Sequence, residues 1–143
     1  MARGFTLIEL LVVLAIIGLM LAAVPRFVAG MPDVELRATA DDLVASLRQL
    51  HDAAIRQETT TEFVLDPATR SYRLSTVAGA RALPAVVTRA RITTVMFRPR
   101  DHQARILFYA DGSSSGGTIR LGHGDLSTSI RVDWLTGRAV RDD

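Results

Sequence analysis

Hydrophobic positions follow two patterns along this chain, an almost unbroken run and then a regular spacing. The run covers the twenty residues from Phe5 to Val24, and Glu9 is the only charged residue among them. A helix rises about 1.5 Å per residue, so a run of this length spans roughly 30 Å, the thickness of the hydrocarbon layer of a membrane. The run therefore predicts a transmembrane helix that contains one unexplained carboxylate.

A break separates this run from a regular amphipathic helix. Pro25, Gly30 and Pro32 each weaken a helix, so we expect a kink or a locally loosened turn there. From Val34 onward, apolar residues recur at alternating steps of four and three, which predicts one apolar stripe along a helix. The residues of this apolar stripe are Leu36, Ala40, Leu43, Leu47, Leu50 and Ala54. The helix should end near Gln57, before three consecutive threonines.

The rest of the chain has the short, alternating segments that are typical of β-strands. Six segments are rich in β-branched or aromatic residues: 61–65, 71–77, 86–97, 105–110, 118–122 and 129–135. Asp66–Arg70 is a predicted turn, because proline presets φ and aspartate bonds forward to the backbone. Leu135–Arg138 predicts a tight hairpin with Gly137 at a positive φ. These signals favour a small antiparallel sheet or sandwich packed on the amphipathic helix.

Composition and charge narrow the class of protein. The 143 residues are 48% hydrophobic and 22% charged, which fits one ordinary domain in addition to the apolar run. The chain has no cysteine, which excludes disulfides and thiolate metal sites. The net charge of +2 hides two opposite stretches: residues 33–66 hold eight acids and three arginines, and residues 81–105 hold six arginines and one aspartate. The two stretches face either each other or different neighbouring subunits.

Candidate catalytic and metal-binding residues lack the spacing that their chemistry requires. Ser113–Ser115 lie near Asp111, but no G-x-S-x-G elbow surrounds them, so we interpret the serine run as a flexible, solvated loop. His51, His102 and His123 show no metal-ligand spacing such as H-E-x-x-H, and DGSSSGG lacks the G-K-[ST] ending of a phosphate-binding loop. We therefore predict no catalytic residue, no metal and no cofactor, and a protein that is not an enzyme.

Three interpretations of the N-terminus differ in how they account for the carboxylate in the apolar run. A secretory signal peptide normally has a stronger positive region than Arg3 alone, and its only small-residue cleavage site here is Ala22–Ala23. A plain membrane anchor leaves Glu9 among lipid tails at a cost of about 2.5–3.5 kcal/mol. The third interpretation is a resemblance. The stretch GFTLIE at residues 4–9, followed by an apolar helix with Gly18 and then a proline, resembles the class III signal of type IV pilins and type II secretion pseudopilins.

This resemblance implies roles for three N-terminal residues. In that family a prepilin peptidase cuts after the glycine and methylates the new amino terminus, which implies cleavage between Gly4 and Phe5 and N-methylation of Phe5. Glu9 is then the fifth residue of the mature chain, and it pairs with the Phe5 amine of a neighbouring subunit during assembly. Because a buried charge pair costs far less than either charge alone, the implied role of Glu9 is to set the docking register.

Motifs near the C-terminus narrow the resemblance to one branch of the family. ADGSSSGGTIRL at residues 110–121 and VDWLTGR at residues 132–138 are similar to the GspH/FimT domain family of minor pseudopilins and minor pilins. The implied fold is α+β and type IV pilin-like, with a long N-terminal α-helix, transmembrane then amphipathic, packed on a C-terminal antiparallel β-sheet or β-sandwich domain. The implied segments are a leader at 1–4, a transmembrane helix half at 5–24, a kinked then amphipathic periplasmic helix half at 25–58, and a periplasmic β domain at 59–143.

The resemblance also implies a function and a location. The expected protein is a structural subunit near the tip of the type II secretion pseudopilus, which helps drive export of folded proteins across the outer membrane. It is expected to be a single-pass protein of the bacterial inner membrane, with its C-terminal domain in the periplasm. Implied partners are the major pseudopilin, other minor pseudopilins of the I, J and K type, the prepilin peptidase, and membrane lipid before assembly. Stripe residues before about Leu43 are expected to contact neighbouring subunits, and later ones to pack on the β domain.

A FimT-like minor type IV pilin, involved in pilus assembly or DNA uptake, is the alternative. Five arginines of the basic stretch are candidate contacts for partner subunits or for nucleic acid: Arg89, Arg91, Arg98, Arg100 and Arg105. Trp134 within DWLTGR and the DGSSSGG loop favour the secretion subunit, so nucleic acid is the less favoured partner.

Overall fold

Two helices form the N-terminal part of the chain. In the computed structural model, which describes residues 7–28, 31–94, 97–98 and 103–142, helix α1 is Leu7–Val28 and helix α2 is Pro32–Arg56. Helix α1 continues through Pro25, so the proline does not end it. The chain divides into two compact units, one up to Glu35 and one from Leu36 onward. Within the described residues, no helix combines the length and the apolar character needed to cross a membrane.

Helix α2 begins two residues before the predicted regular pattern, at Pro32, and ends where the sequence predicts. Pro32 occupies the first helical position, where its missing amide hydrogen leaves no intrahelical bond unmade. Asp33 and Glu35 lie in the first turn and Arg56 in the last, so charges of the appropriate sign stand at both ends of the helix dipole. The last helical residue agrees with the predicted end near Gln57.

The apolar stripe of α2 is buried along its whole length. Each of its six residues is at most 1% exposed and belongs to the core of the β-containing unit. Leu36 and Ala40 are therefore packed inside their own subunit, and the predicted division of the stripe at Leu43 is wrong. The reason is that the core of this unit extends far enough to cover the stripe from Leu36 onward.

Among the described residues, nine strands follow the helices and form two antiparallel sheets. They are β1 Thr61–Asp66, β2 Ser71–Leu74, β3 Ala80–Ala82, β4 Arg89–Thr93, β5 Phe97–Arg98, β6 Gln103–Phe108, β7 Gly117–His123, β8 Leu126–Val132 and β9 Ala139–Asp142. One sheet has the order β3-β2-β1-β6-β5, and the other has the order β4-β7-β8-β9. Large apolar side chains from both sheets and from α2 form one core, which includes Phe63, Phe108, Ile119, Ile130 and Leu47. The α+β prediction is confirmed.

The predicted strand at residues 86–97 is in fact two strands in different sheets. Strand β4 pairs with β7, whereas β5 pairs with β6. The hydroxyl of Thr94, just after β4, lies 3.0 Å from the Arg105 carbonyl of β6 and 3.2 Å from the Gly116 carbonyl beside β7. The chain therefore passes from one sheet towards the other at Thr94, a transition that polarity alternation does not reveal.

The turn predicted at Asp66–Arg70 and the positive φ predicted for Gly137 are confirmed, but the hairpin is longer than predicted, because β8 ends at Val132 and β9 begins at Ala139. A carboxylate oxygen of Asp66 accepts bonds from the amides of Ala68 at 3.0 Å and Thr69 at 3.3 Å. Gly137 has a φ of 63°. Strand β3, by contrast, was not predicted, because Ala80–Ala82 is exposed throughout and carries no alternation.

Candidate functional site

Helix α1 exposes its apolar side chains from Leu7 to Met20. Every residue from Leu7 to Met20 is exposed, and Leu7 and Leu19 are 84% and 76% accessible. Burial of large apolar side chains stabilises each by about 1.5–3 kcal/mol, so a helix surface of this kind favours a non-aqueous environment. The helix is therefore a candidate site of contact with lipid or with the helices of neighbouring chains.

Between Leu7 and Met20, the part of α1 whose side chains are described, Glu9 is the one charged residue. It lies in the first helical turn, where the positive end of the helix dipole favours a carboxylate by about 0.3–1 kcal/mol. This contribution is smaller than the cost of burying an unpaired charge. A cation near Glu9 would therefore favour burial of α1. Gly4 and Phe5, the predicted processing residues, lie outside the described residues.

The two C-terminal motifs, which are well separated in sequence, meet in the structure. The Ser114 amide donates to the Trp134 carbonyl at 2.8 Å. Both motifs also meet His51 of α2. Its Nε2 lies 2.9 Å from the Gly112 carbonyl, and a Cβ added at Gly137 would stand 2.4 Å from the same ring. His51 therefore joins the helix to both motifs at one place, a role that sequence analysis did not find because it depends on tertiary packing.

The serine run is ordered by hydrogen bonds, and the prediction of a flexible, solvated loop is wrong. Ser114 is only 6% exposed, and its hydroxyl accepts from the Gly116 amide at 3.0 Å. The Ser115 hydroxyl accepts from the Leu107 amide at 3.0 Å. The Ser113 hydroxyl donates to the Asp111 carboxylate at 2.6 Å. The serines therefore close the connection between β6 and β7, and each of these hydroxyls has a structural partner.

Two large apolar side chains stand exposed on the hairpin that follows β8. Trp134 and Leu135 are 66% and 63% accessible. Asp133 fixes this turn, because one carboxylate oxygen accepts from the Leu135 amide at 3.0 Å and from the Thr136 amide and hydroxyl at 2.8 and 2.9 Å. These bonds, with the Thr136 amide first, lower the pKa of Asp133 below its ordinary value. The turn therefore holds Trp134 and Leu135 in place on the surface.

Acidification is expected to destabilise this hairpin through Asp133. A carboxylate whose pKa is lowered on folding stabilises the folded state above its unfolded-state pKa, and this contribution disappears as the pH falls through the folded-state pKa. The free energy of unfolding should therefore decrease as the pH falls below about 3.8, the ordinary pKa of an aspartate side chain. Urea unfolding of the detergent-solubilised chain at a series of pH values measures this decrease.

Asp133→Asn supplies the comparison for that titration, since the amide keeps the shape but not the charge. The variant should be less stable than the native chain near neutral pH and should lose less stability on acidification. Asp66 and Asp111 also have lowered pKa values, owing mainly to bonds from Thr69 and Ser113, so some acid sensitivity remains in the variant. Equal acid sensitivity in the two chains would contradict the role assigned to Asp133.

The structure distributes the five candidate arginines over both sheets. Arg89 and Arg91 lie on β4 of the four-stranded sheet, two residues apart and therefore on one face. Arg105 lies on β6 of the other sheet and forms an ion pair with Glu62 at 3.1 Å. Arg98 belongs to β5, and Arg100 lies outside the described residues. Of the predicted set, only Arg89 and Arg91 are brought together in the described part.

Arg120 of β7 joins these two arginines and was missed in the sequence analysis. It is directly opposite Arg91 across the β4–β7 pair. Alternation within TIRLG indicates that Arg120 is on the exposed side, but only the strand register shows which residue faces it.

The acidic and basic stretches meet at the Arg105–Glu62 ion pair, which confirms a contact between them at that point.

The histidines contribute structural hydrogen bonds in the described part of the chain. His123 Nδ1 lies 2.8 Å from the Val86 carbonyl, and His51 contacts Gly112 as described above. His102 lies outside the described residues. Among residues that are described, no three His, Asp or Glu side chains converge as metal ligands would.

Two family profiles match this chain. Residues 1–25 match the prokaryotic N-terminal methylation motif, and residues 39–137 match the family described as type II transport protein GspH. The chain is 33% identical over 137 residues to the type II secretion system protein H of Xanthomonas campestris pv. campestris. That match covers 94% of this chain and 80% of the relative.

Solved structures of two proteins share the fold. The minor pseudopilin EpsH from the Type 2 Secretion System of Vibrio cholerae superposes with a TM-score of 0.59 at 13% identity, covering 76% of this chain and 96% of that chain. The type IV minor pilin FimU of Pseudomonas aeruginosa gives a TM-score of 0.58 at 15% identity, covering 76% and 89%. Because the pseudopilin and the pilin fit equally well, these structures show the fold alone, and the family profile and the sequence relative identify the family.

Proposed function

This chain belongs to the type II transport protein GspH family, and we propose that it acts near the tip of the type II secretion pseudopilus. As a minor pseudopilin it is a structural subunit. In the proposed role it assembles through its N-terminal helix and helps drive folded proteins across the outer membrane. Its proposed neighbours are the major pseudopilin and the other minor pseudopilins.

The exposed apolar surface of α1 is the observation that carries this proposal. A helix with this surface is unsuited to water, but it suits both a lipid environment and the core of a filament built from parallel helices. The buried stripe of α2, in contrast, is already covered by its own domain. The two helices thus have separate roles: α1 contacts lipid or other subunits, and the inner side of α2 supports the β domain.

Glu9 is proposed to control the transfer of α1 from lipid to filament. After cleavage at Gly4, the amine of Phe5 is a cation only four residues from Glu9 in sequence. In a filament, Glu9 of an incoming subunit pairs with the Phe5 amine of a subunit that is already assembled. The pair neutralises two charges that are costly when buried alone, and so favours assembly in one register.

The proposed location follows from the same segments. Residues 5–24 insert in the bacterial inner membrane as a single pass, Arg3 keeps the leader on the cytoplasmic side, and the β domain lies in the periplasm. The leader covers residues 1–4, and residues 25–58 connect the membrane segment to the β domain at 59–143. Prepilin peptidase is the proposed processing enzyme, and the match to the N-terminal methylation motif supports this step.

Processing gives the first test of the proposal. Mass spectrometry of the chain extracted from membranes should show the loss of Met1–Gly4 and the gain of one methyl group on Phe5. The reason is that Gly4 has no side chain to obstruct cleavage at the membrane face.

A Gly4→Val variant serves as the matched control, because it changes only the residue before the cleavage site. It should keep its leader and an unmethylated Phe5. An intact leader on the native chain, or cleavage near Ala23, would reject the proposed processing.

A FimT-like role in pilus assembly or DNA uptake is the second candidate. The arginines on the outer face of the four-stranded sheet favour it, since Arg89, Arg91 and Arg120 are all exposed there. The relative at 33% identity is a type II secretion system protein, so secretion is the preferred function.

A further inference from the structure

A charged cleft lies on the outer face of the four-stranded sheet. It has a volume of about 360 Å³. Its charged and hydroxyl lining comes from Arg89 and Arg91 of β4, Arg120 of β7, Asp125 of the β7–β8 turn and Ser127 of β8. The inner face of these strands is apolar, since Ile119 and Leu121 on either side of Arg120 are fully buried. The arginines are therefore held on a rigid sheet that is supported by the core.

Two of these arginines are placed in an unfavourable arrangement. Arg91 and Arg120 are directly opposite in the β4–β7 register, where Cβ atoms of facing residues are about 4.5–5.5 Å apart and like charges destabilise the pair. Neither guanidinium group forms a hydrogen bond or ion pair with any described residue. Arg89 donates only to the Gly124 carbonyl among these residues. An anion placed between the guanidinium groups would remove the repulsion.

Three arginines outside this cleft have internal partners. Arg105 pairs with Glu62 at 3.1 Å, Arg131 with Asp142 at 3.0 Å, and Arg141 with Asp41 at 2.7 Å. The cleft itself places three guanidinium groups near the single carboxylate of Asp125. Positive charge is therefore concentrated in the cleft, whereas it is balanced by a carboxylate at each of the three paired arginines.

We propose that this cleft binds two carboxylates presented by one acidic helix of a neighbouring protein subunit. Arginine binds carboxylates through two parallel hydrogen bonds. Arg89 and Arg91 are about 7 Å apart along β4, and side chains at i and i+4 of a helix are about 5–6 Å apart. One helix can thus place one carboxylate between Arg91 and Arg120 and the next near Arg89. This inference rests on the proposed function, which places the domain beside other subunits.

A protein partner fits the cleft better than a nucleic acid does. Nucleic acids bind along extended tracks of cations and stack their bases on aromatic side chains. The described residues that line this cleft include no aromatic side chain, and Asp125 interrupts the positive charge.

The test uses the full-length chain in detergent and a synthetic helical peptide with glutamates at i and i+4 on one face. The double variant Arg91→Gln/Arg120→Gln should weaken peptide binding about tenfold or more, because two charge-assisted contacts are lost. Its unfolding midpoint should be unchanged or higher, because the repulsive pair is gone. Asp125→Asn should tighten binding, since it removes a repelling carboxylate.

Arg131→Gln is the matched control, because Arg131 lies on the same sheet but is already paired with Asp142. It should bind the peptide as the native chain does. Equal binding of a peptide with glutamines in place of the glutamates, or native affinity in the double variant, would overturn the proposal. The proposal would also be overturned if the native chain bound an oligonucleotide more tightly than the peptide and the double variant lost that oligonucleotide binding. If processing and filament assembly are normal while any of these results is found, the proposal for the cleft is rejected, but the proposed function is not.

Discussion

Replacing Glu9 with alanine should leave the subunit in the membrane but largely prevent its incorporation into the filament. The alanine helix is more apolar than the native one, so insertion is unaffected or improved. In the filament, however, the Phe5 amine of the neighbouring subunit loses its partner. Removal of one member of a buried ion pair typically costs about 3–5 kcal/mol, which reduces incorporation by at least about a hundredfold at equilibrium.

Two further variants separate the charge of Glu9 from its size. Glu9→Gln keeps the shape without the charge and should fail as the alanine variant does. Glu9→Asp keeps the charge on a shorter side chain and should retain part of the incorporation. Membrane fractionation measures insertion, and the amount of each variant in sheared filaments measures assembly. Normal incorporation of Glu9→Gln would refute a docking role that depends on charge.

Local signals in the sequence were sufficient for the helix and the turns. The buried stripe from Leu36 to Ala54 follows from helical periodicity, and the turn at Asp66 follows from side-chain bonding to nearby amides. Both features depend on residues within a few positions of one another. Non-local features were harder: Thr94 marks the transition between sheets through bonds to carbonyls 11 and 22 positions away.

The candidate sites likewise combine local features that the sequence predicts with non-local features that it does not. Alternation identifies Arg89 and Arg91 as neighbours on an exposed face, but only the register brings Arg120 opposite Arg91. The extent to which α2 is buried within its own subunit was also misjudged, because a stripe looks the same whether a domain or a neighbour covers it. The Gly4–Phe5 cleavage site remains a prediction that rests on the N-terminal motif and the proposed processing.

Replacing Gly137 with alanine should destabilise the β-containing unit strongly. A Cβ there would stand 2.4 and 2.6 Å from atoms of the His51 ring and 2.7 Å from the Gly112 carbonyl oxygen. The backbone strain of an alanine at positive φ costs about 1–2 kcal/mol, and overpacking adds about 1–3 kcal/mol. The free energy of unfolding, measured in urea on the detergent-solubilised chain, should therefore fall by about 2–5 kcal/mol.

Gly124→Ala is the control that separates backbone strain from steric overlap. It introduces the same strain at a positive φ, but no nearby atoms that the new Cβ would meet. Gly124 has a φ of 53°, similar to the 63° of Gly137, but a Cβ there meets no atom within 4 Å. It should lose only the strain contribution of about 1–2 kcal/mol. His51→Ala in the Gly137→Ala background removes the ring from the clash and should make the two substitutions less than additive. Equal losses for the two glycines, with additive effects at His51, would show that His51 does not join the helix to the hairpin.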